Sequence, residues 1–266
     1  MARLRILSWN INSVRLRLEQ LRRVVRKLQP DVLCLQEIKV QDDLFPRDAL
    51  TRMGFRGSAV AGQKGYHGVA TFARQPLEHH FSKAIGRNRD ARHVAVTVGG
   101  LEIHNLYLPA GGDVPDPEKN PAFAAKLAFM KALARWTRSW PDRSSARRVL
   151  VGDLNVAPLD TDVWSHQKLL KVVTHTPIEV DLLGKIQRAH DWVDVARRIV
   201  PPEQHLYTWW SYRSPDWKVQ NKGRRLDHIW VSPSLGERII DFEVARTVRG
   251  WKRPSDHAPV LATLEI

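Results

Sequence analysis

Apolar positions along this chain change period repeatedly, and Gly, Pro or a short polar tag marks each change. Arg3-Leu4-Arg5-Ile6-Leu7-Ser8-Trp9 alternates as a strand does, and Asn10-Ile11-Asn12-Ser13 breaks the pattern. Val14, Leu18, Leu21, Val25 and Leu28 then recur at intervals of three and four, one face of a helix that Pro30 stops. Residues 31 to 35 read as a buried strand delivering Glu37 to its end. Further strands are predicted at 68–74, 93–98 and 101–108, the last two joined by Gly99-Gly100 as a hairpin turn. Asn120-Pro121 offers an N-cap and a first-turn proline for a helix through Phe123, Leu127, Met130 and Leu133 to about Trp136.

A strand at 148–151 follows and ends in Gly152-Asp153. Residues 160 to 200 read as mostly helical with an interruption at 172–177, and strands return at 225–231, 242–245 and 257–265. Strands alternating with helices, with several hairpin-like steps, predict a layered α/β architecture with mixed sheets. Polar tags stand at the strand ends: Trp9-Asn10, Gln36-Glu37, Gly152-Asp153-Leu154-Asn155, Leu226-Asp227-His228 and Ser255-Asp256-His257. The first three follow their strands and the last two precede theirs. Opposite strand directions would therefore bring all of them to one rim.

Such a rim would gather Glu37, Asp153, Asp227 and Asp256 with Asn10, Asn155 and His257. Carboxylates, amides and one imidazole suit a hard divalent cation together with proton transfer. His257 is adjacent to Asp256, but neighbours on an extended chain point to opposite faces. The partner expected for His257 is therefore Asp227, which would fix the ring and favour its charged form, leaving Asp256 to the metal, directly or through water.

Composition narrows the partner. The chain has 266 residues, 43% of them apolar, enough for a large core near the upper size of one domain. Because the tags span residues 9 to 257, one site needs both ends, so a single domain over residues 1–266 is expected. Lys and Arg total 42 against 28 Asp and Glu, a formal charge of +14 that favours a polyanion. Carboxylates converging on a basic phosphate-binding face would repel such a substrate unless a cation lay among them. Cys34, the only cysteine, lies in an apolar run and reads as a structural thiol in a reducing compartment. Residues 1–12 alternate charged and apolar positions, so neither a signal peptide nor a membrane span is expected, and the expected setting is cytoplasmic and without membrane contact.

The segment from Tyr207 to Lys218 interleaves Tyr207, Trp209, Trp210, Tyr212 and Trp217 with Arg213 and Lys218. Aromatic and basic groups together can stack on or insert into a distorted duplex while holding its phosphates. At least half of these rings are expected to be buried. Arg15, Arg17, Lys64, Arg224, Trp251 and Lys252 are weaker candidates for DNA contact.

Taken in order, Leu7-Ser8-Trp9-Asn10-Ile11-Asn12-Ser13-Val14-Arg15, Leu33-Cys34-Leu35-Gln36-Glu37-Ile38-Lys39, Val151-Gly152-Asp153-Leu154-Asn155, Arg225-Leu226-Asp227-His228 and Ser255-Asp256-His257-Ala258-Pro259 resemble the exonuclease III family of apurinic/apyrimidinic endonucleases. Gly65-Tyr66-His67-Gly68-Val69-Ala70 and Tyr207-Thr208-Trp209-Trp210-Ser211-Tyr212-Arg213 place the resemblance in the DNA-repair branch of a superfamily that also contains phosphatases. It covers nearly the whole chain.

The resemblance implies a four-layered α/β sandwich, two packed sheets flanked by helices, with the site at one edge. It implies a Mg²⁺- or Mn²⁺-dependent phosphodiesterase that incises duplex DNA 5′ to abasic sites and trims or cleans 3′ ends, and so is associated with the nucleoid through DNA; a chain that completes its own site is expected to be a monomer. Glu37, Asn10 and Asp256 would hold the metal, with Asp153, Asn155 and His257 as candidates for a second position. Asp153 would orient or deprotonate the attacking water, Asn155 would point its amide at the phosphate, and Tyr107 would donate to a phosphate oxygen or assist the leaving oxygen. Trp209 and Leu226 would line a pocket for an extrahelical baseless sugar, with Arg15, Trp210, Tyr212 and Arg213 on DNA. Asn12 stands where some relatives carry aspartate, and Arg224 where some place a pocket tryptophan. The rival readings are a phosphatase of a small phosphorylated molecule and a non-catalytic DNA-binding protein on the same fold.

Overall fold

The computed structural model describes residues 2–214 and 216–266. The first third of the chain forms β1 (Arg3–Asn10), α1 (Leu18–Leu28), β2 (Val32–Gln36), α2 (Arg47–Arg52), β3 (Gly57–Ala61), β4 (Val69–Ala73) and β5 (His79–Phe81). Then come β6 (His93–Val98), β7 (Leu101–Tyr107), α3 (Pro121–Arg138), β8 (Arg148–Asp153), α4 (His166–Leu169), α5 (Pro177–Ala189), β9 (Val193–Asp194) and α6 (Val195–Ile199). The last part supplies β10 (Trp209–Trp210), α7 (Trp217–Gln220), β11 (Gly223–Arg224), β12 (Asp227–Val231), β13 (Ile239–Val244) and β14 (Val260–Glu265).

Twelve of these strands form two six-stranded mixed sheets, ordered β13-β14-β1-β2-β4-β3 and β5-β6-β7-β8-β12-β9, and β10-β11 makes a small ribbon. Their inner faces meet in one apolar layer that includes Ile6, Val32, Val96, Ile103, Val151 and Val260. Outside the first sheet, Leu7, Trp9, Leu33 and Leu35 pack against Leu21, Val24 and Val25 of α1. Outside the second, Leu106, Leu150 and Trp230 pack against Phe123 and Met130 of α3 and Leu182 and Ile186 of α5. The result is the helix–sheet–sheet–helix sandwich that the resemblance implied.

Local chemistry explains the element ends. Gln29 takes a left-handed backbone after α1, and Pro30 prevents continuation. Asn120 caps α3 by accepting from the Ala122 amide, with Pro121 in the first turn. At α5, Thr176 and Glu179 form a capping box. Gly152 is required by the β7–β8 pairing, because a Cβ there would overlap the Leu106 carbonyl and its φ is +143°.

Short elements depart from the sequence reading. β3 was not foreseen, since Gly57-Ser58-Ala59-Val60-Ala61 has side chains too small to show a clear alternation. β5, at a sheet edge, is exposed throughout and carries no apolar period. Residues 160–200 are mostly helical with a break before Pro177, as read, apart from the two-residue β9 ahead of α6, and α1 begins at Leu18, so Val14 precedes it. Cys34 lies between the sheets, where burial pushes its thiol up to about 12, as suits a structural role. No helix among the described residues is long and apolar enough to cross a membrane.

Candidate active site

Register brings the tags together. β1 and β2 run parallel, so Asn10 and Glu37 leave the same edge, while β14 runs antiparallel to β1 and starts there, just after Asp256 and His257. In the second sheet Asp153 ends β8 directly opposite Asp227, the first residue of antiparallel β12, and Tyr107 ends β7 beside Asp153. Beneath this rim the sheets are joined by a buried polar bridge. Gln36 Nε2 donates to Asn105 Oδ1 at 2.8 Å, and Asn105 Nδ2 donates to the carbonyls of Leu35 and Ala70. Such a satisfied network fixes one sheet against the other where the site requires it.

Glu37, Tyr107, Asp153, Asn155, Asp256 and His257 all line a cleft of about 690 Å³. Asn10 bridges two of its acids, donating from Nδ2 to Glu37 Oε1 and to Asp153 Oδ2, both at 2.9 Å. Its Oδ1 accepts from the Asn12 amide. Tyr107 donates its hydroxyl to Glu37 Oε1 at 2.8 Å, and Lys39 pairs with Glu37 Oε2 at 2.9 Å. Burial would raise the Glu37 pKa, but Lys39 and the Asn10 hydrogen bond hold it below its ordinary range. The Tyr107 phenol is pushed well above its usual value by burial and then by Glu37 and Asp153, so it acts as a proton-bearing donor.

The adjacent Asp256 and His257 face different partners. His257 Nδ1 lies 2.8 Å from Asp227 Oδ2, while Asp256 accepts from Asn12 Nδ2 at 3.1 Å and from Trp209 Nε1 at 2.9 Å. Thr208, which the sequence reading passed over, fixes Asp227: its hydroxyl donates to Asp227 Oδ2 at 2.6 Å and accepts from the Leu226 and Asp227 amides. Burial works against a charged His257, yet Asp227 and Asp153 outweigh it and raise the pKa to about 10. Asp153 is pushed up to about 7, by burial first and by Asp227 and Glu37 beyond that, against the pull of His257.

Asp153, Asp227 and His257 could be taken as metal ligands, since their donor atoms converge. In the arrangement seen, His257 Nδ1 is engaged by Asp227 Oδ2, and its Nε2 faces Asp153 Oδ2 at 3.7 Å. Glu37 and Asp256 remain ionised on the cleft wall, with Asp256 held below its ordinary range by His257, Asn12 and Trp209 despite its burial. Hard oxygen donors of this kind fit Mg²⁺ or Mn²⁺.

Backbone strain clusters here. Asn12, Ser13, Glu37, Lys39, His67 and Asn155 all adopt positive φ without being glycine. At Asn155, with φ +51°, the side chain turns back: its Nδ2 donates to the Leu108 carbonyl at 2.9 Å and to Asp153 Oδ2 at 3.2 Å. The phosphate-directed amide expected from the sequence is thus engaged within the protein, where it braces Asp153.

Of the five rings of the aromatic-basic segment, Trp210 alone is buried; Tyr207, Trp209 and Trp217 are half-buried and Tyr212 is exposed. The expectation that at least half would be buried therefore fails. Trp210 packs against Trp217 and is a core ring, which removes it from the DNA-facing set. Trp209, Arg213 and Leu226 line the cleft, joined by Lys222 and by Arg224, whose Nη1 donates to the Val173 carbonyl and Thr174 Oγ1. Arg15 is exposed on the segment between β1 and α1, and Lys64 and Lys252 are exposed elsewhere. Arg17 is buried, donating to Tyr212 and to the Pro254 carbonyl, so it shapes the loop and does not face solvent. Trp251 is covered by Arg23 at 4.0 Å.

Residues 7–257 match the model of the Endonuclease/Exonuclease/phosphatase family. Exodeoxyribonuclease III of Haemophilus influenzae is 33% identical over 276 residues, covering 97% of this chain and 99% of that protein. Among solved structures, an AP endonuclease from Archaeoglobus fulgidus superposes with a TM-score of 0.92 at 30% identity, covering 99% of this chain and 100% of that one. A 3′ phosphatase from Neisseria bound to product DNA hairpin gives a TM-score of 0.90 at 32% identity, with the same coverage.

Proposed function

The chain belongs to the Endonuclease/Exonuclease/phosphatase family, and from that premise we propose that it is a metal-dependent DNA-repair phosphodiesterase of exodeoxyribonuclease III type. It incises duplex DNA 5′ to abasic sites and acts on 3′ ends as exonuclease and phosphodiesterase. One observation carries this reading: Glu37, Asp153, Asp256 and His257 line one cleft, and buried Asp227 pairs with His257 from behind it.

Glu37 and Asp256 would hold Mg²⁺ or Mn²⁺, with Asn10 assisting, and the ion supplies Lewis-acid stabilisation of phosphoryl charge when bound. Asp153 accepts a proton from the attacking water, a task for which a pKa near the working pH is best suited. Asn10 and Asn155 hold its carboxylate in place through the hydrogen bonds described above. His257, kept cationic by Asp227, offers Nε2 to the phosphoryl oxygens as their charge grows, and the Tyr107 hydroxyl is a further donor in the same cleft. Water attacks in line, the 3′ oxygen leaves, and no covalent enzyme intermediate forms.

Arg213, Lys222 and Arg224 give the cleft a cationic wall for the DNA backbone, and Trp209 and Leu226 give it an apolar corner for a baseless sugar. The protein works as a monomer and one catalytic domain, completed by both ends of its chain, in the cytoplasm on chromosomal DNA. A gel assay on an abasic duplex, an intact blunt duplex and a 3′-phosphate duplex, each with and without chelator, tests the reading. Nicking of the abasic duplex that chelator abolishes is the expected result. Turnover of a small phosphorylated molecule far faster than any of these duplexes would overturn it.

A further inference from the structure

A second cluster of metal-ligating groups lies outside the catalytic trio, on the loop that follows β8. His166, the first residue of α4, places Nδ1 2.9 Å from His175 Nε2 and 2.9 Å from Asp160 Oδ1. All three donor atoms lie within 4.8 Å of one another. The two imidazoles meet nearly at right angles, 82° between planes, so they converge through nitrogen and not by stacking.

Counting protons shows what the cluster lacks. His175 is buried, and its Nδ1 lies 2.7 Å from the Ala157 carbonyl, which can only accept. That nitrogen therefore carries the proton, and in the neutral ring Nε2 presents a lone pair to His166. A single proton on His166 Nδ1 would then have to serve both His175 Nε2 and the Asp160 carboxylate. If the proton moves to His175 Nε2 instead, His166 Nδ1 and Asp160 face each other as two acceptors. In neither arrangement is every close contact a full hydrogen bond. A cation at the centre satisfies all three donors together.

We propose that Asp160, His166 and His175 form a zinc-binding site, with water in the fourth position. Two imidazoles and one carboxylate are a donor set for a borderline transition ion, whereas the oxygen donors of the catalytic cleft suit Mg²⁺. The Ala157 carbonyl orients His175 from behind, as the outer partner of a metal-bound histidine does. Ligand atoms around tetrahedral zinc stand roughly 3.3 Å apart, so the two 2.9 Å separations to His166 Nδ1 would open by only a few tenths of an ångström to accept the ion. Asp160 is mostly exposed, with 73% of its side chain accessible, which leaves a path for the ion and room for water.

The ion would join three places in the chain: the turn after Asn155, the start of α4 and the turn before α5. Trp164, Val172, Val173 and Thr174 lie within this span and line the catalytic cleft. Zinc here would stiffen the wall that carries the Arg224 contacts without touching the reacting phosphate.

The test is equilibrium dialysis of the chelator-stripped full chain against zinc, with Mg²⁺ in excess to fill the catalytic site. Wild type should retain one zinc per chain, and so should Glu37→Gln, while His166→Ala and Asp160→Ala should bind at least about tenfold more weakly. Zinc should raise the Tm of wild type and not of these two variants. Both replaced side chains are at least partly exposed, so the variants should fold, and Asp160→Ala should keep its Mg²⁺-dependent nicking. Cobalt(II) in place of zinc should give the intense visible absorption of a four-coordinate site. Failure of wild type to retain zinc, or zinc lost in Glu37→Gln yet kept in His166→Ala, would overturn the proposal.

Discussion

The shifts of Asp153, up to about 7, and of His257, up to about 10, set the two edges of a working window for the proposed mechanism. As the proposed base, Asp153 has to lose its proton to accept one from water, so activity should fall as pH drops through about 7. As the proposed charged donor, His257 has to keep its proton, so activity should fall as pH rises through about 10. Asp227 raises both values. In Asp227→Asn the alkaline limb of kcat against pH should move toward neutral, and an unmoved limb would show that Asp227 does not hold the charge on His257. At this scale the sequence was informative about acids and their direction: alternation along the chain was enough to give Asp256 and His257 different partners. It did not reveal Thr208 or Lys39, because a threonine before two tryptophans or a lysine two places after a glutamate has no signature of its own. Their roles arise from contacts with Asp227 and Glu37 that only the folded chain makes. Asn155 was placed at the site but its direction was not, since the left-handed backbone that turns it inward is a tertiary outcome.

Elements carry the site through strand polarity and register. Asp227 meets Asp153 because β12 pairs with β8 antiparallel at that residue, and a slip of β12 by one place would turn Asp227 to the other face of the sheet. Gly152 makes the neighbouring β7–β8 pairing possible. Gly152→Ala should therefore destabilise the protein by at least about 2 kcal/mol, because it adds steric overlap with Leu106 to a backbone conformation unfavourable for alanine. Chemical denaturation would measure this, and a loss within a few tenths of a kcal/mol would mean that β7 and β8 separate easily. Long strands and helices with strong periods and caps, such as β1, α1, β7 and α3, were legible from the sequence to within a few residues. β3, β5 and β9 were not, being small-residue, exposed or two-residue strands whose pairing is decided by neighbours distant in sequence.

Across the whole molecule, the acids of the rim sit in a chain of formal charge +14. Long-range attraction brings a polyanion to the surface, and the local cluster needs a cation before phosphate can approach. Binding to duplex DNA should weaken steeply with salt, its logarithm falling linearly with the logarithm of salt concentration. Affinity independent of salt would disconnect the basic surface from DNA. Arg213→Ala, at the cleft, should reduce that slope while leaving the fold intact, and an unchanged slope would place Arg213 off the backbone. Chain-wide organisation was readable because the tags span both termini, whereas the burial of Trp210 and Arg17 depends on how the 207–218 segment folds back on Asn221 and Pro254.

Single-turnover cleavage of an abasic duplex by wild type and by Asp153→Asn, in saturating Mg²⁺ near neutral pH, tests the central claim that the rim acids assemble one catalytic site with Asp153 as its base. The account predicts incision 5′ to the abasic site by wild type and a rate at least about a hundredfold lower in the variant, with DNA binding retained. Incision by Asp153→Asn at the wild-type rate would contradict it.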